Sequence, residues 1–235
     1  MKNETIDSIS FVVPCYNEQE NVSEVVKQIE KALDTSIVSY EIILINDHSD
    51  DQTGKIMFDL KKLNHNIKII TNNYNLGLGG SLSKGFKQCK CDYVMYLPGD
   101  NCHSYTEIRK MILQKNFDVL LSFYSNSHER NFFRKLFTSV YTPFLNLIFR
   151  LNLPYYNGIA IYKRKLLKDF VIKSSGFTWQ IELLVKILKL QNIRLILLPT
   201  ILKERNRGKS KAFKIKNSIL VIYSIFIIFY NSLKK

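Results

Sequence analysis

The chain has 235 residues, 46% hydrophobic and 23% charged, with a formal net charge of +14. That size supports one domain with a substantial core or two small ones, and the composition excludes a disordered chain. Four scattered cysteines, Cys15, Cys89, Cys91 and Cys102, lack paired C-x-x-C spacing, which excludes a disulfide framework or zinc site and fits reduced thiols in a cytoplasmic setting.

The charge is uneven. Residues 1–159 hold 17 Lys and Arg against 17 Asp and Glu, whereas residues 160–235 hold 17 against 3. A basic segment of this kind meets nucleic acid, an anionic membrane surface or phosphorylated substrates, or only solubilises the chain. An apolar run behind it favours the membrane, and no nucleic-acid partner is expected. Met1–Ser10 is polar and charged, so no signal peptide is expected.

The elements follow from the hydrophobic spacing. Phe11–Val13 is a short apolar run that stops at Pro14. Val22, Val25, Val26, Ile29 and Leu33 then recur at helical spacing over about Asn21–Leu33. A second strand, Glu41–Ile45, ends in the polar cluster Asn46–Asp51. Strand, helix, strand with polar strand ends is a βαβ unit, and ligands of open α/β sheets bind outside the carboxyl ends of the strands. Pro14, Tyr16, Asn17 and Glu18 should therefore share a pocket with Asn46, Asp47 and Asp51. A plain polar turn capping the next helix remains the alternative for the second cluster.

A helix over about Thr53–Leu63 and a strand over Asn66–Thr71 follow. Gly77, Gly79 and Gly80 then precede a helix expected to start near Ser81, with Gly85 one turn inside it. Asp92–Leu97 is a fourth strand, ending in Pro98-Gly99-Asp100-Asn101 with His103 close behind. Phe117–Phe123 reads as a fifth strand. Arg130–Arg150 is aromatic and amphipathic, expected to break near Pro143, and suits either a membrane-interface helix or a core helix with a basic rim. Asn157-Gly158 precedes a strand, IAIYKR. Gly176–Glu182 opens a helix to about Leu190, with Glu182 either a core-facing partner or a base. A strand over Ile193–Pro199 leads to the charge run Glu204–Lys211. Asn217–Leu233 is uncharged and apolar, but short of the roughly 20 residues of a spanning helix.

Several of these segments resemble one family. FVVPCYNEQENV, from Phe11, is similar to the opening of the family 2 glycosyltransferases. INDHSDDQT, from Ile45, resembles their nucleotide-binding VDDGSxDxT, with Asn46 for its first Asp and His48 for its Gly. Asn75–Gly85 is similar to N-x-G-x-G-x-A-x-x-x-G. Arg205–Lys211 resembles the R-x-x-G-x-S-K segment of the dolichol-phosphate mannosyltransferase-like group. Pro98 stands for the first Asp of the family's metal-binding Asp-x-Asp, Phe123 for an Arg, and Pro154 and Ala160 for an Asp and an Arg near the acceptor.

The resemblance implies a GT-A α/β fold over residues 1–211, with a mostly parallel central sheet flanked by helices. Residues 212–235 would be a basic, apolar tail seated on the cytoplasmic face of a membrane. It implies inverting transfer of a sugar from a nucleotide-sugar to a polyprenyl phosphate. Donor contacts would be Pro14, Tyr16, Asn17, Glu18, Asn46, Asp47, Asp51, Gly77, Gly79, Gly80, Gly85 and Asp100. Asp100 and His103 would bind Mg2+ or Mn2+. Asp100, Arg205 and Lys209 would be catalytic, and Arg134, Thr138, Glu182, Ser210 and Lys211 would serve the acceptor. Transfer to a glycan hydroxyl, or a degenerate scaffold without catalysis, stays open, as does self-association into a homo-oligomer.

Overall fold

The computed structural model describes residues 5–33, 37–125, 132–168, 170, 172, 176 and 178–203, with backbone alone for 132–138. The chain alternates strand and helix: β1 (Ser8–Cys15), α1 (Val22–Ala32), β2 (Ser39–Asn46), α2 (Thr53–Leu63), β3 (Ile67–Thr71), α3 (Gly77–Gln88) and β4 (Tyr93–Tyr96). Then come α4 (Tyr105–Ile112), β5 (Val119–Tyr124), α5 (Phe132–Phe149), β6 (Ala160–Lys163), α6 (Trp179–Leu188) and β7 (Leu195–Thr200).

Among the described residues the strands form one sheet in the order β3-β2-β1-β4-β6-β5-β7. The pairs β1–β2, β2–β3, β1–β4 and β5–β7 are parallel, and β6 runs antiparallel to both β4 and β5. All strands except β6 therefore end at the same sheet edge. The chain steps outward from β1 through β2 to β3, then returns to place β4 on the other side of β1. That reversal puts a topological switch point between β1 and β4, where the loops diverge and leave a crevice.

The sheet is covered on both faces. Because side chains alternate along a strand, Ile9, Phe11, Val13, Ile42, Leu44, Met95 and Leu120 pack with α1, α2 and α4. Val12, Ile43, Ile45, Val94, Tyr96, Val119 and Leu121 pack with α3, α5 and α6 on the other face. This two-faced burial explains why the strands read as continuous apolar runs rather than as alternating ones.

Three expected boundaries shift, each for a packing reason. β1 does not stop at Pro14 but runs to Cys15, because Pro14 and Cys15 still pair with Ile45 and Asn46 of β2. α3 begins at Gly77, not near Ser81; Gly77 itself has φ 70°, which only glycine adopts without cost. α5 is not broken at Pro143. Pro143 is exposed, and the opposite side of the helix, with Thr142, Leu145 and Phe149, is held in the core.

At the outer strands Asp118 closes β5, β6 and β7 together. Its Oδ2 accepts from Arg194 Nε and from the Arg194 backbone N–H, both at 3.0 Å, and Oδ1 lies 3.1 Å from Lys163 Nζ. Burial alone would raise this carboxyl, but those donors outweigh it and hold it well below the usual carboxylate range. A depressed carboxyl stabilises the fold above its unfolded pKa of about 3.9, and loses that contribution as pH falls further. Asp118→Asn should thus lower the urea midpoint at pH 7, with a gap to the parent that narrows below about pH 4. A gap of equal size at pH 3 and pH 7 would show that the carboxylate charge plays no part.

Candidate active site

The carboxyl ends of β1 and β2 are stitched to each other by their own side chains. The Asp47 backbone N–H donates to Cys15 O at 2.9 Å, continuing the ladder one step past the strands. The Asn17 N–H donates to Ser49 Oγ (3.0 Å), and Asn17 Oδ1 accepts from the Asp50 N–H (2.9 Å). The Glu18 N–H donates to Thr53 Oγ1 (2.9 Å), and the Gln19 N–H to Asp51 Oδ2 (3.2 Å). Asn17 and His48 adopt φ of 55° and 61° at the turns. His48 thus occupies a left-handed position that glycine would fill without strain.

Asp51 is held the same way. Burial would raise its carboxyl, but donors from Thr53 and Gln19 outweigh that and hold it low. It remains charged at neutral pH and fixes the start of α2. Asn46 Oδ1 accepts the Ser49 N–H at 2.9 Å, so it performs uncharged the turn-closing role that a carboxylate would. Asp47 is buried, and its Oδ1 accepts the Leu76 N–H at 2.8 Å.

The β4 loop comes in from the other side. Gly99 is so close to β1 that a Cβ there would lie 2.5 Å from Cys15 Sγ and 3.0 Å from Pro14 O. Only glycine lets this loop close on the strand. Asp100 follows, half-buried, and the Cys102 N–H donates to its Oδ1 at 3.3 Å. Cys15 reports the resulting convergence. Burial pushes its thiol up, and the negative charges of Glu18, Asp100 and Asp51 push it further. Three acidic side chains from three separate loops therefore lie near enough to Cys15 to act on it electrostatically, at the switch between β1 and β4.

His103 lies behind Asp100, buried, its ring stacked at 6.1 Å on Tyr124. Its Nδ1 has no hydrogen-bond partner among the described residues. Burial pushes the imidazole down to about 4, against the opposite pull of Asp100. Tyr124 meets Tyr155 edge-on at 5.2 Å, so an aromatic wall of two tyrosines stands beside His103, while Tyr96 meets Trp179 edge-on at 4.9 Å within the core. The Lys203 N–H donates to Cys102 O at 3.0 Å, so the last described residue is tied to the same loop.

The structure thus brings Pro14, Tyr16, Asn17, Glu18, Asn46, Asp47, Asp51, Asp100 and His103 to one edge, at the ends of β1, β2 and β4. The expected glycines divide. Gly77 opens α3 at this edge, and Gly80 packs on Leu76, where a Cβ would lie 2.8 Å from the Leu76 Cβ. Gly79 and Gly85 are buried; a Cβ at Gly85 would lie 2.5 Å from Val12 Cγ1 and 2.7 Å from Ile45 Cδ1. Gly85 therefore seats α3 on the sheet, which corrects its reading as a donor contact.

Glu182 is buried on α6, with Oε1 3.2 Å from Lys186 Nζ. It has the geometry of the core-facing alternative. Of Arg134 and Thr138 the helical backbone alone is described. Arg205, Lys209, Ser210, Lys211 and the 212–235 tail lie outside the described residues.

Reading the sequence missed Thr53, although it stands in the quoted motif. It also missed Asn72, which carries no signal among the asparagines of Asn72–Asn75, and the tyrosines of the aromatic wall. Among the described residues no group of three His, Cys, Asp or Glu is placed to hold a metal, and no helix is long and apolar enough to cross a membrane.

Residues 10–171, more than half of the chain, match the family described as Glycosyl transferase family 2. The chain belongs to that family. It is 37% identical over 99 residues to the poly-beta-1,6-N-acetyl-D-glucosamine synthase of Staphylococcus epidermidis, covering 42% of this chain and 23% of the relative. It is 31% identical over 137 residues to the undecaprenyl-phosphate 4-deoxy-4-formamido-L-arabinose transferase of Pseudomonas fluorescens, covering 57% and 40%. The matched region thus spans only 23% and 40% of these curated relatives. Glucosyl-3-phosphoglycerate synthase from Mycobacterium tuberculosis, solved with Mn2+, uridine diphosphate and phosphoglyceric acid, shares the fold. The TM-score is 0.67 at 19% identity, over 95% of this chain and 78% of that one.

Because burial keeps His103 neutral above about pH 4, its ring resonances in the metal-free protein should show no titration between pH 5.5 and 8. A midpoint near the ordinary histidine value of about 6.5 would mean that the ring is solvated.

Proposed function

We propose that this chain is an inverting glycosyltransferase that moves a sugar from a nucleotide-sugar to a polyprenyl phosphate at a membrane surface. The observation that carries the reading is the meeting of the loops after β1, β2 and β4 at one sheet edge, tied by the Asn17–Ser49 and Gln19–Asp51 bonds and by the close approach of Gly99 to Cys15. In an α/β sheet that crevice is where nucleotides bind.

Donor binding falls to the loops after β1 and β2. Their cross-strand hydrogen bonds fix them before a ligand arrives, so little ordering cost remains to be met on binding. Asp100 and His103 suit a divalent cation. One supplies a half-buried carboxylate and the other a neutral imidazole with an unpartnered Nδ1. The Mn2+ bound by the Mycobacterium tuberculosis enzyme of like fold supports a divalent cation as the cofactor. Such a cation neutralises charge that builds on the leaving nucleoside diphosphate.

The acceptor end rests on the segment after Lys203. Lys203, the last described residue, donates its N–H to Cys102 O in the loop of Asp100. In this reading Arg205 and Lys209 serve the diphosphate, and Ser210 and Lys211 the acceptor phosphate. A phosphate acceptor is already ionised at neutral pH. The site has only to hold its oxygen in line and stabilise the leaving group, without a strong base.

A membrane location accords with α5. Val140, Phe144 and Leu147 form an exposed apolar stripe, and no acidic residue occurs between Arg130 and Lys168. Arg134 and Thr138, on the same helix, would meet the acceptor. The 212–235 tail adds a second anchor. The undecaprenyl-phosphate relative favours this acceptor class.

A second reading, transfer to a glycan hydroxyl, is favoured by the likeness to the poly-N-acetylglucosamine synthase. It requires a general base. Glu182 is the candidate, and its pairing with Lys186 counts against that role.

Asp100→Ala should reduce transfer to polyprenyl phosphate by about 100-fold or more while leaving the melting curve unchanged. Undiminished turnover in this variant refutes the role of Asp100, and faster transfer by the parent protein to soluble glycans than to the lipid phosphate selects the second reading. Phe144→Glu with Leu147→Glu should lower binding to phosphatidylglycerol vesicles without changing turnover on a short-chain, water-soluble acceptor. Vesicle binding equal to the parent would show that α5 does not meet the bilayer.

A further inference from the structure

Asn72 is the first residue beyond β3, and it is 1% exposed. Every polar group of it that could point wrongly is committed. Its backbone N–H donates to Asn46 O at 2.9 Å. Its side-chain Nδ2 donates to Asp47 Oδ1 and to Ser81 Oγ, each at 2.8 Å. Its Oδ1 accepts from Lys84 Nζ at 2.9 Å.

The orientation of the amide is settled by chemistry. A carboxylate can only accept and an ammonium can only donate, so the NH2 must face Asp47 and the carbonyl must face Lys84. A flipped amide would set oxygen against oxygen and nitrogen against nitrogen. Lys84 on the rim therefore dictates which atom of Asn72 meets Asp47. The same Asp47 Oδ1 accepts the N–H of Leu76, the residue that caps α3. One carboxylate oxygen thus joins the ends of β2 and β3 to the glycine-rich start of α3.

We propose that Asn72 is a positioning residue of the donor site: it sets the rotamer of Asp47 and ties it to the start of α3 before the nucleotide binds. The inference rests on the reading above that the loop after β2 receives the donor. Hydrogen bonds to an ionised carboxylate are roughly twice as strong as neutral ones, so the loss of Nδ2 would free Asp47 to turn. A residue that only filled space would be replaced without any dependence on pH.

Asn72→Asp and Asn72→Ala test this in the full chain, by calorimetry with uridine, guanosine and cytidine diphosphates in the presence of Mn2+. Thermal melts confirm that both variants fold. Two carboxylates facing each other share a proton, and the upper pKa of such a pair is strongly raised. At pH 8 the Asp variant should bind the preferred diphosphate at least about tenfold more weakly than the parent. Repulsion by Asp47 raises the pair and Lys84 Nζ lowers it; as the pH falls to 5.5 a proton entering between the two carboxylates donates to Asp47 as the amide did, and the ratio to parent should recover severalfold. The Ala variant, with no donor to restore, should be weakened by the same factor at both pH values.

An Asp variant that binds as the parent does at pH 8 overturns the proposal, as does a loss that is identical at pH 8 and 5.5. A parent chain that binds none of the three diphosphates removes the donor-site reading itself, and the positioning role with it. The two failures are told apart by the parent measurement alone.

Discussion

β1 lies between β2 and β4 and must serve both, and Pro14 makes it serve them differently. Toward β2 the ladder continues through Cys15 and on to Asp47. Toward β4 pairing stops at Val12 opposite Tyr96, with one further bond from the Leu97 N–H to Val12 O. Pro14, the next residue on that side, has no N–H to offer. The strands part there, and the space is taken by Gly99, which no larger residue could replace against Cys15 and Pro14. A missing donor on β1 and a missing side chain on the loop after β4 thus meet at the crevice, where the sheet order reverses.

What fills the edge of that crevice is acid held by neutral donors. Asp51 is fixed by a hydroxyl and backbone amides, and Asp47 by an amide side chain and a backbone N–H. Amide and hydroxyl partners stabilise a carboxylate in place without cancelling its charge, so the field at the edge stays negative. Such a site calls for a cation and for basic groups supplied from elsewhere. The basic excess of residues 160–235 matches that need.

The departures from the family pattern look less severe in three dimensions. Asn46 closes its turn through Oδ1, a bond that needs an acceptor and not a charge. His48 takes the left-handed conformation at the glycine position. The replacement of an aspartate by Pro98 removes a carboxylate two residues before Asp100. His103, stripped of its charge by burial and with Nδ1 unpartnered among the described residues, offers an electron pair five residues after Pro98.

The alternation of strand and helix, the limits of α2 at Thr53 and Leu63, and the grouping of polar residues after β1, β2 and β4 were legible in the amino acids alone. These follow from hydrophobic period and from turn chemistry, which act over a few residues. The folded chain set where β1 ends, that α3 starts within its glycines, that α5 passes through Pro143, and that β6 runs against its neighbours. It alone revealed that Gly85 belongs to the core and Asn72 to the site. Each of these outcomes is set by a residue distant in the chain: Ile45 and Val12 for Gly85, Asp47 and Lys84 for Asn72. Period and propensity report what a segment can do alone, whereas close packing and hydrogen-bond partners exist only once segments far apart in sequence have met.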